Sequence, residues 1–147
     1  MKRFIIFLFL TTLFTSMTFA QDEFFEKYSD KKGVSVTFIS KSMFSRMSGG
    51  KVEGGKLKDI EWVRVLSVEN RAMVAQVKAD VLNEFSSANG YEEQMRVQEN
   101  GETTIIKRFV SKKKQCVLLL VVYDSSSIEV VMIAGKDLSI SDIRKVK

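Results

Sequence analysis

From residue 91 onward the apolar pattern of the chain repeats every second residue, and that change of period constrains the fold more than any other feature. Tyr91, Met95 and Val97 fall on one face, opposite Glu92, Gln94 and Arg96. Asn100-Gly101 follows, and both residues tolerate the positive φ of a two-residue hairpin turn. Residues 103–111 return as a second strand, Lys112, Lys113 and Lys114 turn the chain, and residues 116–123 are nearly all apolar. A strand of that kind belongs at the centre of a sheet, covered on both faces. Asp124 to Ser127 make the next turn and residues 128–134 the last strand. Strands joined by such short turns run antiparallel, and their apolar faces need a covering layer.

The first part of the chain supplies candidates for that layer. Phe24, Phe25 and Tyr28 sit at helical spacing within residues 22–30. Val34, Val36 and Phe38 alternate with Ser35 and Thr37, which predicts a half-buried strand, and Ser40 then caps a short helix carrying Met43, Phe44 and Met47. Residues 48–58 contain Gly49, Gly50, Gly54 and Gly55 and read as a flexible Gly-rich surface loop. Residues 60–68 form a strand, and Asn70 caps a helix over 71–89 with Val74, Val77, Val81 and Phe85 on one face. Gly90 stands where a left-handed cap belongs. Ser139 and Asp142 make a capping box for a closing helix, with Leu138 and Ile143 as its staple. The prediction is an α+β, two-layer domain over residues 21–147. It has a mostly antiparallel sheet of about five to six strands, one long helix packed on one face and short flanking helices.

Residues 1–20 have a different character. Lys2 and Arg3 precede the apolar run from Phe4 to Leu10, and small residues stand at Thr18 and Ala20. This is the pattern of a secretory signal peptide cleaved between Ala20 and Gln21, which places the remainder outside the inner membrane, periplasmic or extracellular. An uncleaved membrane anchor is the competing reading, since the charge-free run to Gln21 is long enough to span the thinnest bilayer core. The single cysteine, Cys116, lies far from the leader, so no lipid anchor is expected at the cleavage point. Removing Lys2 and Arg3 lowers the formal net charge from +5 to +3. The apolar run at 116–123 is too short to cross a bilayer as a helix, so no transmembrane segment is expected after signal removal.

Composition narrows the chemistry. The chain has no His and one Cys, which excludes a Ser-His-Asp triad, a Cys-His pair, an imidazole-based zinc site and an internal disulfide. Gly50 to Lys56 fits half of a phosphate-binding loop, but Leu57 stands where the Mg²⁺-binding Ser or Thr is needed. Ser29 with Lys32 and Ser48 with Lys51 match a Ser-x-x-Lys spacing, without the SDN and KTG elements that accompany it in β-lactamases. Glu92 and Glu93 alternate across a strand, and Asp22, Glu23 and Glu26 fit the solvated start of a helix, so neither set reads as a glycosidase pair. Asp124 to Glu129 lacks the oxygen density of a calcium loop. Cys116, inside an apolar strand, reads as a core residue. No catalytic residue, cofactor or metal is predicted.

Lys107, Arg108, Lys112, Lys113 and Lys114 gather around one hairpin and form the strongest local charge feature. They suit an anionic surface, such as lipid headgroups or lipopolysaccharide phosphate, or an acidic envelope partner. The simpler reading is a charged hairpin that discourages edge-to-edge sheet pairing. Nucleic acid is not expected, because no aromatic residues interleave with the basic ones. Trp62, beside Ile60 and Val63, fits core packing or, less simply, an exposed partner anchor.

Six segments stand out together: Phe25-Glu26-Lys27-Tyr28, VTFISKSM from Val36 to Met43, Gly90-Tyr91-Glu92-Glu93, Met95-Arg96-Val97, Val117 to Val122, and Ala134-Gly135-Lys136-Asp137-Leu138. In these the chain resembles an exported bacterial family known as domain-of-unknown-function family 4252, frequent in Bacteroidetes. The resemblance implies a small envelope protein with a lipoprotein or plain signal peptide, and carries no activity, cofactor or site residues. Residues and resemblance together predict an exported cell-envelope protein that acts as a non-enzymatic binding or interaction domain. Two alternatives stay open. One is a small periplasmic hydrolase using a Ser-Lys or carboxylate pair, and the other a membrane-anchored scaffold that keeps its leader.

Overall fold

The computed structural model describes residues 23–47, 60–136 and 138. The leader with its Ala20–Gln21 junction, the Gly-rich loop at 48–58 and the closing helix at 139–147 lie outside those residues. So do the phosphate-loop match and the Ser48–Lys51 pair. The chain divides into two units, residues 1–31 and 32–147. In the first, a helix over residues 23–29 (α1) buries Phe24, Phe25 and Tyr28, whose rings meet edge to face.

The second unit is an α+β structure around one open sheet of six antiparallel strands. In chain order the elements are β1 (Val34–Ser40), α2 (Lys41–Met47), β2 (Ile60–Val68), α3 (Arg71–Glu84), a 3-10 turn (Ser87–Asn89), β3 (Glu92–Glu99), β4 (Glu102–Val110), β5 (Gln115–Tyr123) and β6 (Ile128–Lys136). Asn100 and Gly101 hold φ of 53° and 80°, the left-handed pair that a tight hairpin between β3 and β4 requires. The four-stranded meander forms as its turns predict. Asp124 fixes its last turn, where one carboxylate oxygen accepts the backbone N–H of Ser126 at 2.7 Å and of Ser127 at 2.8 Å. Those bonds to the charged form hold the Asp124 carboxyl below its ordinary range.

Strand order is β1-β2-β6-β5-β4-β3, so the meander closes against β2 and leaves β1 and β3 as edges. The link from β2 to β3 must therefore cross the width of four strand spacings, about 19 Å. α3, with 14 residues, roughly 21 Å of helix, lies within that link. Asn70 starts it, its side chain accepting the Ala72 N–H at 3.1 Å. Val74, Val77 and Val81 are buried, and the strands nearest to the helix are β2 and β6.

The apolar residues divide between the two sheet faces by register. Leu66, Val130, Val121 and Ile105 follow one another across β2, β6, β5 and β4 on one face, with Met132 and Leu119 one step along. All six are essentially inaccessible to solvent, and each buried side chain of this size contributes roughly 1.5–3 kcal/mol. The opposite face carries Val63, Ile133, Leu118, Cys116 and Ile106, packed with Leu138 and flanked by the half-buried Val65, Val131, Leu120 and Met95. β5 lies between β4 and β6, the central place that its apolar sequence predicts.

Three local expectations are corrected. The helix predicted over 71–89 ends at Glu84, because Phe85 leaves helical geometry (ψ 46°) to put its ring against Tyr91 at 5.1 Å. The carbonyls released there find new donors, Asn89 Nδ2 for Glu84 and Lys107 Nζ for Phe85. Gly90 accordingly caps the 3-10 turn and not the helix, at φ 88°. A register shift between Glu93 and Met95 sends Tyr91 to the side of Phe85 and Phe109, while Met95 pairs with Ile106 on the other face. Simple alternation from Tyr91 placed all three of Tyr91, Met95 and Val97 together, and the bulge breaks that count. Finally, Phe38, on the apolar face of the strand predicted to be half-buried, is 52% exposed.

Candidate functional site

The five basic residues at the β4–β5 hairpin do not act as one patch. Lys107 lies on the face that carries Ile105, opposite Glu93 on β3 and Leu119 on β5. Its Nζ donates to the Phe85 carbonyl at 2.9 Å, a cation placed at the C-terminal end of α3 where the helix dipole is negative. Burial is the main cause of its pKa falling below the ordinary lysine value, with the Glu93 carboxylate opposing that shift. Arg108 faces the other way, and its Nε donates to the Leu138 carbonyl at 3.2 Å. The same carbonyl accepts the Cys116 thiol at 3.4 Å, so that Cys116 is a buried core residue tied to a backbone oxygen.

Lys112, Lys113 and Lys114 are the exposed members, projecting from the turn between β4 and β5. The turn is held from within. Ser111 N–H donates to Gln115 O at 2.8 Å, Lys114 N–H to Ser111 O at 3.0 Å, and Gln115 N–H to Ser111 Oγ at 3.2 Å. Lys114 takes φ of 61°, the left-handed position that closes the turn. Three ammonium groups are thus presented on a short, internally bonded loop at one end of the sheet.

A second constellation was not singled out by sequence. Phe38 on β1 stands opposite Arg64 on β2, and Trp62 lies two residues along β2 on the same face. The Arg64 guanidinium carbon lies 4.9 Å from the Trp62 ring centroid and 5.3 Å from that of Phe38, a cation between two aromatic faces. Trp62 is half-buried, so it is neither the core residue nor the free anchor that its neighbours suggested. The signal that could have found this cluster is the absence of charge in VSVTFIS beside a strand carrying both Trp and Arg.

Other candidates resolve into local structure. Ser29 Oγ donates to the Glu26 carbonyl at 2.9 Å within α1. Glu93 receives the Arg96 guanidinium at 2.7 Å on the exposed surface, and that bond with the carboxylate charge raises the Arg96 pKa. Among the described residues no group of three or more Cys, Asp or Glu converges as a metal site. No described helix is long and apolar enough to cross a membrane.

Comparison with known proteins gives a family without an activity. No curated protein matches the chain. Among solved structures, a protein of unknown function from Pseudomonas aeruginosa, PA94, is similar at 5% identity and a TM-score of 0.40, covering 80% of this chain and 78% of that one. Residues 28–146 match the family described as a domain of unknown function (DUF4252), which takes in β1 to β6, α2 and α3. The chain belongs to the DUF4252 family.

Proposed function

We propose that this protein is an exported, non-enzymatic binding domain of the bacterial envelope that meets a phosphate-bearing anionic surface through Lys112, Lys113 and Lys114. One observation carries the reading: these three lysines are exposed on a rigidly bonded turn, while Lys107 and Arg108 are committed to carbonyls inside the fold. In this reading α3 is the second layer, covering the face with Leu66, Val130 and Leu119, and the hairpin tip is left to make contact. Export rests on the leader pattern of Lys2, Arg3 and the apolar run that follows, with cleavage between Ala20 and Gln21.

Vesicles of phosphatidylglycerol in phosphatidylcholine test the surface. Each lysine near an anionic membrane contributes about 1 kcal/mol, so changing all three to Gln lowers the binding constant about a hundredfold. The wild-type protein binds the anionic vesicles and releases them as salt rises. Equal binding by the triple Gln variant, or none by the wild type, overturns the reading. Intact mass of the secreted protein tests export separately, with loss of residues 1–20 expected and retention favouring a membrane-anchored scaffold.

A further inference from the structure

The sheet ends in β1 on one side, and among the described residues β1 has a strand partner only at β2. Its seven residues, Val34–Ser40, contain no charge. An edge of that kind exposes unpaired backbone donors and acceptors and is a template for another strand. Ser35, Thr37 and Phe38 are exposed along it. The other edge, β3, is built the opposite way, with Glu92, Glu93, Arg96 and Glu99 exposed and a bulge between Glu93 and Met95. Lone apolar exposure needs no explanation, but an uncharged edge strand beside a large exposed aromatic does.

We propose that β1 is the seam of a homodimer, in which the β1 strands of two copies pair antiparallel about a two-fold axis through Thr37. The occupant is argued from β1 itself. Directly opposite residues in an antiparallel pair share a sheet face. Centring on Thr37 lets all seven residues find partners, and each one-residue shift of the axis leaves two of them unpaired. In that register Phe38 of one copy lies against Val36 of the other, an aromatic–β-branched pair, and Thr37 meets Thr37. No charge meets a like charge across the seam, as it would if β3 paired with itself through its glutamates. The contact is isologous and closes on itself, and the charged β3 edges at the two ends of the joined sheet stop further addition. The Trp62–Arg64–Phe38 stack then flanks the seam, composed of the residue types that dominate interface energetics.

The experiment uses the full chain and sedimentation velocity across a concentration series. The wild type sediments as a dimer. Thr37→Lys and Thr37→Glu each place like charges on the axis and weaken the dimer by at least about tenfold. Mixed in equal amounts, the two variants recover a heterodimer, because Lys now faces Glu. Circular dichroism and thermal melting of each variant match the wild type, as the site is exposed. A wild type that remains monomeric throughout, charge variants that remain dimeric, or a mixture that fails to recover association each overturns the proposal.

Discussion

The two edges of one sheet solve the same problem in opposite ways. β3 carries three glutamates and an arginine and is kinked by a bulge, whereas β1 is a neutral strand with a half-exposed phenylalanine. Among the described residues each is bound to the sheet by a single neighbouring strand, so strand pairing does not distinguish them. What differs is the cost of adding a further strand. At β3 an incoming copy meets like charges and a distorted ladder, and β1 opposes it with neither among the described residues. In this sheet charge and the bulge together tell the two edges apart, once their place in the strand order is known.

The root of the guarded edge gives the largest expected effect. Gly90 at φ 88° precedes Tyr91 and β3, and a Cβ there would approach the Phe109 ring to 2.9 Å. Gly90→Ala destabilises the fold by about 2–4 kcal/mol through left-handed strain and overpacking. Urea denaturation measures it, and a loss below about 1 kcal/mol would show that the Tyr91–Phe109 stack does not anchor β3.

Lys107 comes next, because it joins β4 to the end of α3 and faces β3. Lys107→Met removes the Nζ donor to the Phe85 carbonyl and costs about 1–3 kcal/mol. Its folded pKa lies below the ordinary 10.5. Between those two values the unfolded chain binds more protons, so wild-type stability gains from this residue as pH rises through the interval. The gain is absent from the Met variant. Denaturation curves of both proteins from neutral to alkaline pH check the sign.

Neutralising the guard has a small effect on folding and a qualitative one on assembly. Glu92→Thr with Glu99→Thr changes stability by less than about 0.5 kcal/mol, as exposed substitutions do. The same pair of changes lets assemblies grow past the dimer, read by light scattering against concentration. Unchanged particle size would show that charge is not what protects β3.

The smallest effect belongs to a turn remote from either edge. The Asp124 carboxyl, held below its ordinary pKa by the Ser126 and Ser127 donors, stabilises the fold above the unfolded value. That contribution disappears as pH falls through the lowered folded value. Asp124→Ala removes this acid-sensitive part, so the variant and the wild type converge in stability at low pH.

Much of this architecture is legible locally. Asn100-Gly101, the uncharged run from Cys116 to Tyr123 and Asn70 before Arg71 each specify an element through their own chemistry, and β3 to β6 and the start of α3 form accordingly. The rest depends on partners distant in sequence. Helix α3 stops at Glu84 because Tyr91 receives the Phe85 ring and Lys107 its carbonyl, neither of which helix periodicity can contain. Gln94 is an extra residue only relative to β4, so the bulge and the face of Tyr91 were hidden. Phe38 reads as an inward residue in an alternating strand until the order β1-β2-β6 makes that strand an edge. The basic cluster was visible as composition, but its division into two anchored and three free side chains needed the packing of Leu138 and Phe85.

Amide hydrogen exchange measured strand by strand tests the difference between the edges most directly. In the wild type at dimer-forming concentration, the outward amides of β1 exchange as slowly as those of an interior strand, those of β3 exchange rapidly, and Thr37→Lys makes β1 as fast as β3. Outward β1 amides that exchange as fast as those of β3 in the wild type would contradict the account.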